Sequence, residues 1–198
     1  MAQIKQAPGR LELVRLFVNT LDREEETDEL SSPAALAGWL SANGLAEPGL
    51  RATRGDLGHA IALREALRDS LLANTDDATT PPDACATVDR AAERARLIPR
   101  LRSDGVSMLE PKSGGVDAAL GRLVAIVHES VANGSWSRMK ACRDESCQWA
   151  FYDHTKNHSG AWCSMAVCGN RTKARVYRAR RAQGLAPGGA GGVEKRAG

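Results

Sequence analysis

Four of the five cysteines crowd into one short stretch: Cys142, Cys147, Cys163 and Cys168, spaced C-x4-C-x15-C-x4-C. Thiolates are soft ligands, and zinc takes four ligands in a tetrahedron. Two close pairs separated by a long excursion can be brought to a single ion. The four-residue gaps are wider than the commoner two-residue knuckle, so a disulfide pair, an iron–sulfur cluster or free thiols stand as alternatives. His154 and His158 offer a competing set, C-x4-C-x6-H-x3-H, but that set abandons Cys163 and Cys168. Four thiolates in symmetric pairs are the simpler reading, with one structural zinc as the cofactor. Four protein ligands also close the site, whereas a catalytic zinc keeps a position open for water. With no phosphate loop, Gly-x-Ser-x-Gly elbow or His-Glu-x-x-His in the chain, the expectation is a protein that is not an enzyme. Cys85, alone in DACATV, is expected to be a buried, inert thiol.

A basic segment follows the last thiol at once: CGNRTKARVYRARR, from Cys168 to Arg181. A helix starting near Cys168 would turn its N-terminal amides towards the sulfurs and stabilise thiolate. Gly169 would let the backbone pack close to the metal loop, and Asn170 would cap the helix. Arg171, Arg175 and Arg178 recur at i, i+4 and i+7 on one stripe, with Lys173 and Arg180 nearly opposite. Thr172, Val176 and Ala179 form a narrow apolar stripe expected to rest on a hairpin. With few acidic residues nearby, the expectation is contact with nucleic acid through Arg171, Lys173, Arg175, Arg178, Arg180 and Arg181. On this reading Arg175→Ala weakens binding.

The charge distribution points the same way. Residues 1–137 hold 15 basic and 20 acidic side chains, whereas residues 138–181 hold 10 basic and 3 acidic ones. A mildly acidic body thus carries a compact basic module, a cue for an anionic partner rather than for a fold. A module of about 45 residues is too small for a self-sufficient core, and a metal would supply the missing stability.

The elements that must position this module are mostly helical. Leu13, Leu16, Phe17 and Leu21 follow helical spacing. DREEETDEL reads as a solvated connection. In SSPAALAGWLSANGL, Ser32 can cap a helix, Pro33 suits its first position and Gly44 can end it. A longer helix spans 53–74, with Leu57, Ala60, Ile61, Leu67, Leu71 and Leu72 on one face. After the loop TDDATTPP, DACATVDRAAERARL reads as a further helix. Ser103-Asp104-Gly105 between two apolar runs signals a hairpin, with Pro99 on an edge. GGVDAALGRLVAIVHESVANG restores helical spacing through Leu120, Leu123, Val124, Ile126 and Val127. Asn19 and Thr20, polar residues after an apolar run, are expected to make a cap or a buried hydrogen bond.

The fold class is therefore α+β. A mainly helical domain with one hairpin covers 1–137, a small zinc module ending in a basic helix covers 138–182, and a Gly-rich tail at 183–198 is expected to be disordered. No apolar run is long enough for a membrane span and no signal-peptide core is present, so the expected location is the cytoplasm.

The stretch CRDESCQWAFYDHTKN…WCSMAVCGNRTKARVYRAR resembles the CGNR zinc finger, named for Cys168-Gly169-Asn170-Arg171. The body resembles the ABATE domain that precedes this finger, through Phe17-Val18-Asn19-Thr20, the helix carrying Trp39, and the Asp-Gly hairpin leading into the last body helix. The resemblance spans about residues 10–182. It implies a treble-clef-like finger with Cys142, Cys147, Cys163 and Cys168 as zinc ligands. It also implies a stress-response transcription regulator that binds DNA. One departure is Asn157-His158-Ser159-Gly160-Ala161, where the family often carries basic residues, which implies weaker or altered phosphate contact. RNA is the alternative partner, with Trp149, Phe151, Tyr152 and Trp162 as stacking groups. A protein-interaction adaptor with purely structural zinc is another. A small-molecule or protein effector at the body and a homodimer are further expectations.

Overall fold

The computed structural model describes residues 6–182; the tail expected at 183–198 lies outside them. Helix α1 (Leu11–Val18) buries Val14, Phe17 and Val18. Leu16, which follows the same helical spacing, is exposed. The acidic run after it is not merely a solvated connection. It folds into a short antiparallel hairpin, β1 (Leu21–Asp22) with β2 (Thr27–Asp28), and Asp22 Oδ1 accepts from the amides of Glu24 and Glu25 at its tip.

Helix α2 (Pro33–Ala42) begins as its sequence dictates. Ser32 Oγ accepts from the Ala35 amide at 3.1 Å, with Pro33 in the first turn. It buries Leu36 and Leu40, and sets Trp39 against Phe17 with ring centroids 5.5 Å apart. The long helix α3 (Arg54–Asp76) opens on a capping box between Thr53 and Asp56. Helix α4 (Pro82–Ala95) follows. Cys85 on it is exposed rather than buried, because α4 turns only Ala84 and Ala95 fully into the core.

The Asp-Gly hairpin forms where expected. Strands β3 (Leu97–Leu101) and β4 (Ser107–Pro111) pair antiparallel, with Leu97 opposite Pro111. The two strands make a sheet of their own, so Pro99 interrupts no further ladder. Helix α5 (Gly115–Ala132) sends Val116, Ala119, Leu120, Leu123, Val124 and Ile126 into the core. It crosses the end of α4 so closely that a Cβ on Gly121 would lie 2.3 Å from Ala95 Cβ.

A 3-10 turn (Ser135–Arg138) leads into β5 (Met139–Ala141), which pairs antiparallel with β6 (Ala150–Tyr152). Met139, Ala141, Ala150 and Tyr152 belong to the same apolar cluster as Val14, Leu67 and Leu123. The change of composition near residue 137 is therefore a change of local chemistry, while the core runs straight through it. The chain ends, as described, in α6 (Asn170–Ala182). No helix among the described residues is long and apolar enough to cross a membrane.

Buried polar groups bind the hairpin to the body. The Asn19 side-chain amide donates to the Ala150 carbonyl at 2.9 Å, and its oxygen accepts from the Ala150 amide at 2.7 Å. One side chain thus stands in for a neighbouring strand. Thr75 does the same for Ala141, accepting from its amide at 3.1 Å and donating to its carbonyl at 2.7 Å. Arg68, fully buried on α3, donates to the carbonyls of Val18 and Gln148 and to Glu65. Asn74 donates to Trp136 and Met139 carbonyls.

Candidate metal centre and basic helix

Cys142 lies just past β5 and Cys147 shortly before β6, so the first thiol pair hangs from the hairpin. The Cys142 amide donates to the Trp149 carbonyl at 2.9 Å, which closes the hairpin above the thiols. Inside this knuckle the Asp144 carbonyl accepts from the amides of Cys147 and Gln148, at 2.8 and 3.0 Å. Of the second pair, Cys168 lies in a helical turn and Cys163 immediately precedes that turn's cap. Ser164 Oγ accepts from the Val167 amide, and the wide turn Met165–Gly169 runs without a break into α6. The helical path therefore starts before Cys168, not at it, and Asn170 is already inside, donating to the Ala166 carbonyl instead of capping. A Cβ on Gly169 would meet only the Met165 side chain, with Sδ at 2.5 Å, and that exposed, flexible chain can turn aside.

The four sulfurs all lie within 4.8 Å of one another. Cys147 and Cys163 are 3.7 Å apart, and Cys163 and Cys168 are 3.6 Å apart. A tetrahedron with zinc–sulfur bonds of about 2.3 Å has edges of about 3.8 Å, so the donor set fits the ion. The electrostatics agree. Hydrogen bonds from the Cys147 and Cys163 thiols hold Cys142 well below the ordinary thiol range, and the resulting thiolate pushes Cys147 and Cys163 up. A divalent cation lets all four ionise together. Trp149 and Trp162 pack against the cluster and exclude water from it. The site holds one structural zinc, and its ligands are the cysteines expected from the spacing. The histidines stand elsewhere. His154 contacts the Gln6 carbonyl through Nε2 at 2.8 Å and lies edge-on to Tyr152, while the His158 carbonyl accepts from Lys140 Nζ.

A buried ion pair fixes the loop between the thiol pairs. Lys140 Nζ is 3.3 Å from Asp153, which accepts from the amides of Thr155 and Gly160. Burial pushes the Asp153 carboxyl up, but those amides and the ammonium outweigh it and hold it at about 2. A Cβ on Gly160 would come within 2.8 Å of this carboxylate.

The arginine that follows the thiols faces back onto the finger and the body. Arg171 Nε donates to Asp144 Oδ2 at 2.9 Å, its two terminal nitrogens reach Glu24 at 2.7 and 3.1 Å, and one also donates to Cys168 Sγ at 3.4 Å. Glu24 first, then the Cys168 sulfur, raise the Arg171 guanidinium above its ordinary value. Asp144 is completely buried; its other oxygen accepts from Ser146 and lies 3.7 Å from Arg175. Arg178 donates only to the Ala174 carbonyl of its own helix. Lys173, Arg180 and Arg181 have no hydrogen-bond or ion partner among the described residues.

Helix α6 has no buried residue, and Val176 is 44% exposed. The expected rest of the Thr172–Val176–Ala179 stripe on the hairpin does not occur, because the wide turn at the metal directs α6 away from it. The aromatic residues offered above as base-stacking groups are spent on packing: Phe151 and Tyr152 are buried and the two tryptophans line the thiols. Glu24, Asp144, Asn19 and Arg68 emerge as positioning residues. Of these, Asn19 was singled out in the sequence as a polar residue after an apolar run, and the expected buried hydrogen bond is found; Glu24, Asp144 and Arg68 were not.

A family model described as "ABATE: Putative stress-induced transcription regulator" matches residues 11–133, and one described as "CGNR zinc finger" matches residues 138–181. No curated protein matches the chain.

Proposed function

We propose a DNA-binding regulator, starting from membership: the chain belongs to the ABATE family of transcription regulators and carries a CGNR zinc finger at its end. In this reading the zinc is purely structural, and its four thiolates leave no position for a reacting water. The metal sets where α6 begins and points it outwards, and α6 meets the phosphates of duplex DNA. One observation carries the reading. Helix α6 bears six basic side chains and no acidic one, and not one of its residues is buried. A rigid cationic rod aimed into solvent suits a polyanion, whose counterions it releases on binding. Regulation belongs to the body, which is bound to the finger through Asn19, Arg68, Thr75 and Glu24.

The test is binding of the zinc-loaded full chain to duplex DNA across a salt series. Three or four phosphate contacts predict a slope of log affinity against log salt of about −3. Cys163→Ser, which opens the metal site, should abolish the binding. Salt-independent affinity, or no binding at all, refutes the reading.

A further inference from the structure

The six cations of α6 do not stand in equivalent places. At about 100° per residue, Arg171, Arg175 and Arg178 share one face. That face looks back at the buried Asp144 carboxylate, which Arg171 touches at 2.9 Å and Arg175 approaches at 3.7 Å. Arg171 is also held by Glu24 from the β1–β2 hairpin. Two of the three arginines are thus already neutralised by carboxylates, and each phosphate they might contact would have to compete with them. On the far side, centred about 140° round the helix, lies a second face made by Lys173, Tyr177, Arg180 and Arg181. Its cations have no partner among the described residues, and Tyr177 is 54% exposed.

We infer that this second face, Lys173–Tyr177–Arg180–Arg181, is the surface that touches DNA, and that Arg171 and Arg175 on the first face form a strut that aims it. The inference rests on the DNA reading above and divides the helix within it. Phosphates go to Lys173, Arg180 and Arg181, whose charges are uncompensated. The Tyr177 hydroxyl lies between them, where it can donate to a phosphate or to a base edge as the helix enters a groove. Arg171 is a positioning residue: it ties the first turn of α6 to the metal loop through Asp144 and Cys168 and to the body through Glu24.

The experiment compares two substitutions that each remove one positive charge, Lys173→Ala and Arg175→Ala, in the zinc-loaded full chain. Both alter the long-range field alike, so a difference between them reports position. The probe is a mixed-sequence duplex of three helical turns. Tyr177→Phe, which changes no charge, is run beside them, and cobalt substitution monitors the thiolate site in each variant. Expected is a loss of about three- to tenfold in affinity for Lys173→Ala with the salt slope reduced by about one. Arg175→Ala should cost about twofold or less with the slope kept, and Tyr177→Phe should weaken binding with no change of slope. Equal losses from the two charge removals, or a larger loss at Arg175, overturn the inference while leaving DNA binding in place. Absence of salt-dependent binding by the unsubstituted protein sinks the parent reading and this one together.

Discussion

At the scale of single residues, the side chains that matter most are those satisfying someone else's backbone. Asn19 pairs both polar groups of Ala150 in a buried setting, so replacing it leaves an amide and a carbonyl without partners or water. Asn19→Ala should lower unfolding stability by about 2–3 kcal/mol in urea titrations. A loss below about 0.5 kcal/mol would mean that the hairpin finds another partner. Asp153 offers a pH test. Its folded carboxyl is held at about 2, below the ordinary 3.8. A depressed carboxylate stabilises above its unfolded value, and that contribution is lost as pH falls through the folded one. Asp153→Asn should therefore be less stable than the parent at neutral pH by on the order of 1–2 kcal/mol. The gap should close as pH drops from 3.8 towards about 2. Both proteins carry the same thiolates, so the difference between their stability profiles isolates Asp153 from acid release of the metal. A gap independent of pH would remove the carboxylate from the account.

At the scale of elements, close approach decides where the helices lie. Gly121 on α5 leaves no space for a methyl group against Ala95 of α4, with Leu97 and Pro111 also near. Gly121→Ala must push α4 and the β3–β4 hairpin outwards, and should lower the thermal midpoint by several degrees, equivalent to about 1–3 kcal/mol. An unchanged midpoint would show that α4 yields freely. Local signals were the most legible feature of the chain, since the Ser32 cap and the Asp-Gly hairpin turn act within a few residues of themselves. The β1–β2 hairpin was not legible. Its strands are two residues long and strongly acidic, and what holds them is distant: Asp28 pairs with Arg64, and Glu24 with Arg171. The helix α6 begins near Cys168 as expected, but its cap is not Asn170, for a related reason. A cap at Asn170 is a good local rule, but the metal loop forces helical geometry from Met165 onwards.

At the scale of the molecule, the metal and the core support different parts. The β5–β6 hairpin shares its apolar cluster with α1, α3 and α5, whereas Cys142, Cys147 and Cys168 form a separate small cluster. Removing zinc with a chelator should therefore unlock the knuckles and α6 but leave the hairpin and body folded. Hydrogen exchange should rise sharply over residues 142–147 and 163–182 and stay slow at Met139, Ala150 and α5. Protection lost throughout would mean that the metal holds the whole fold.

The metal site could be read from the sequence because its information is local and chemical. Four thiols in two pairs at equal spacing suit one tetrahedral ion whatever surrounds them, and a helix with six cations and no anion declares its charge in any fold. Which of those cations remain free could not be read there. That depends on where Glu24 and Asp144 come to lie, 147 and 27 residues from Arg171 along the chain. Compensation of charge depends on separation in space, which only the packing of the β1–β2 hairpin and the metal knuckle around the first turn of α6 decides.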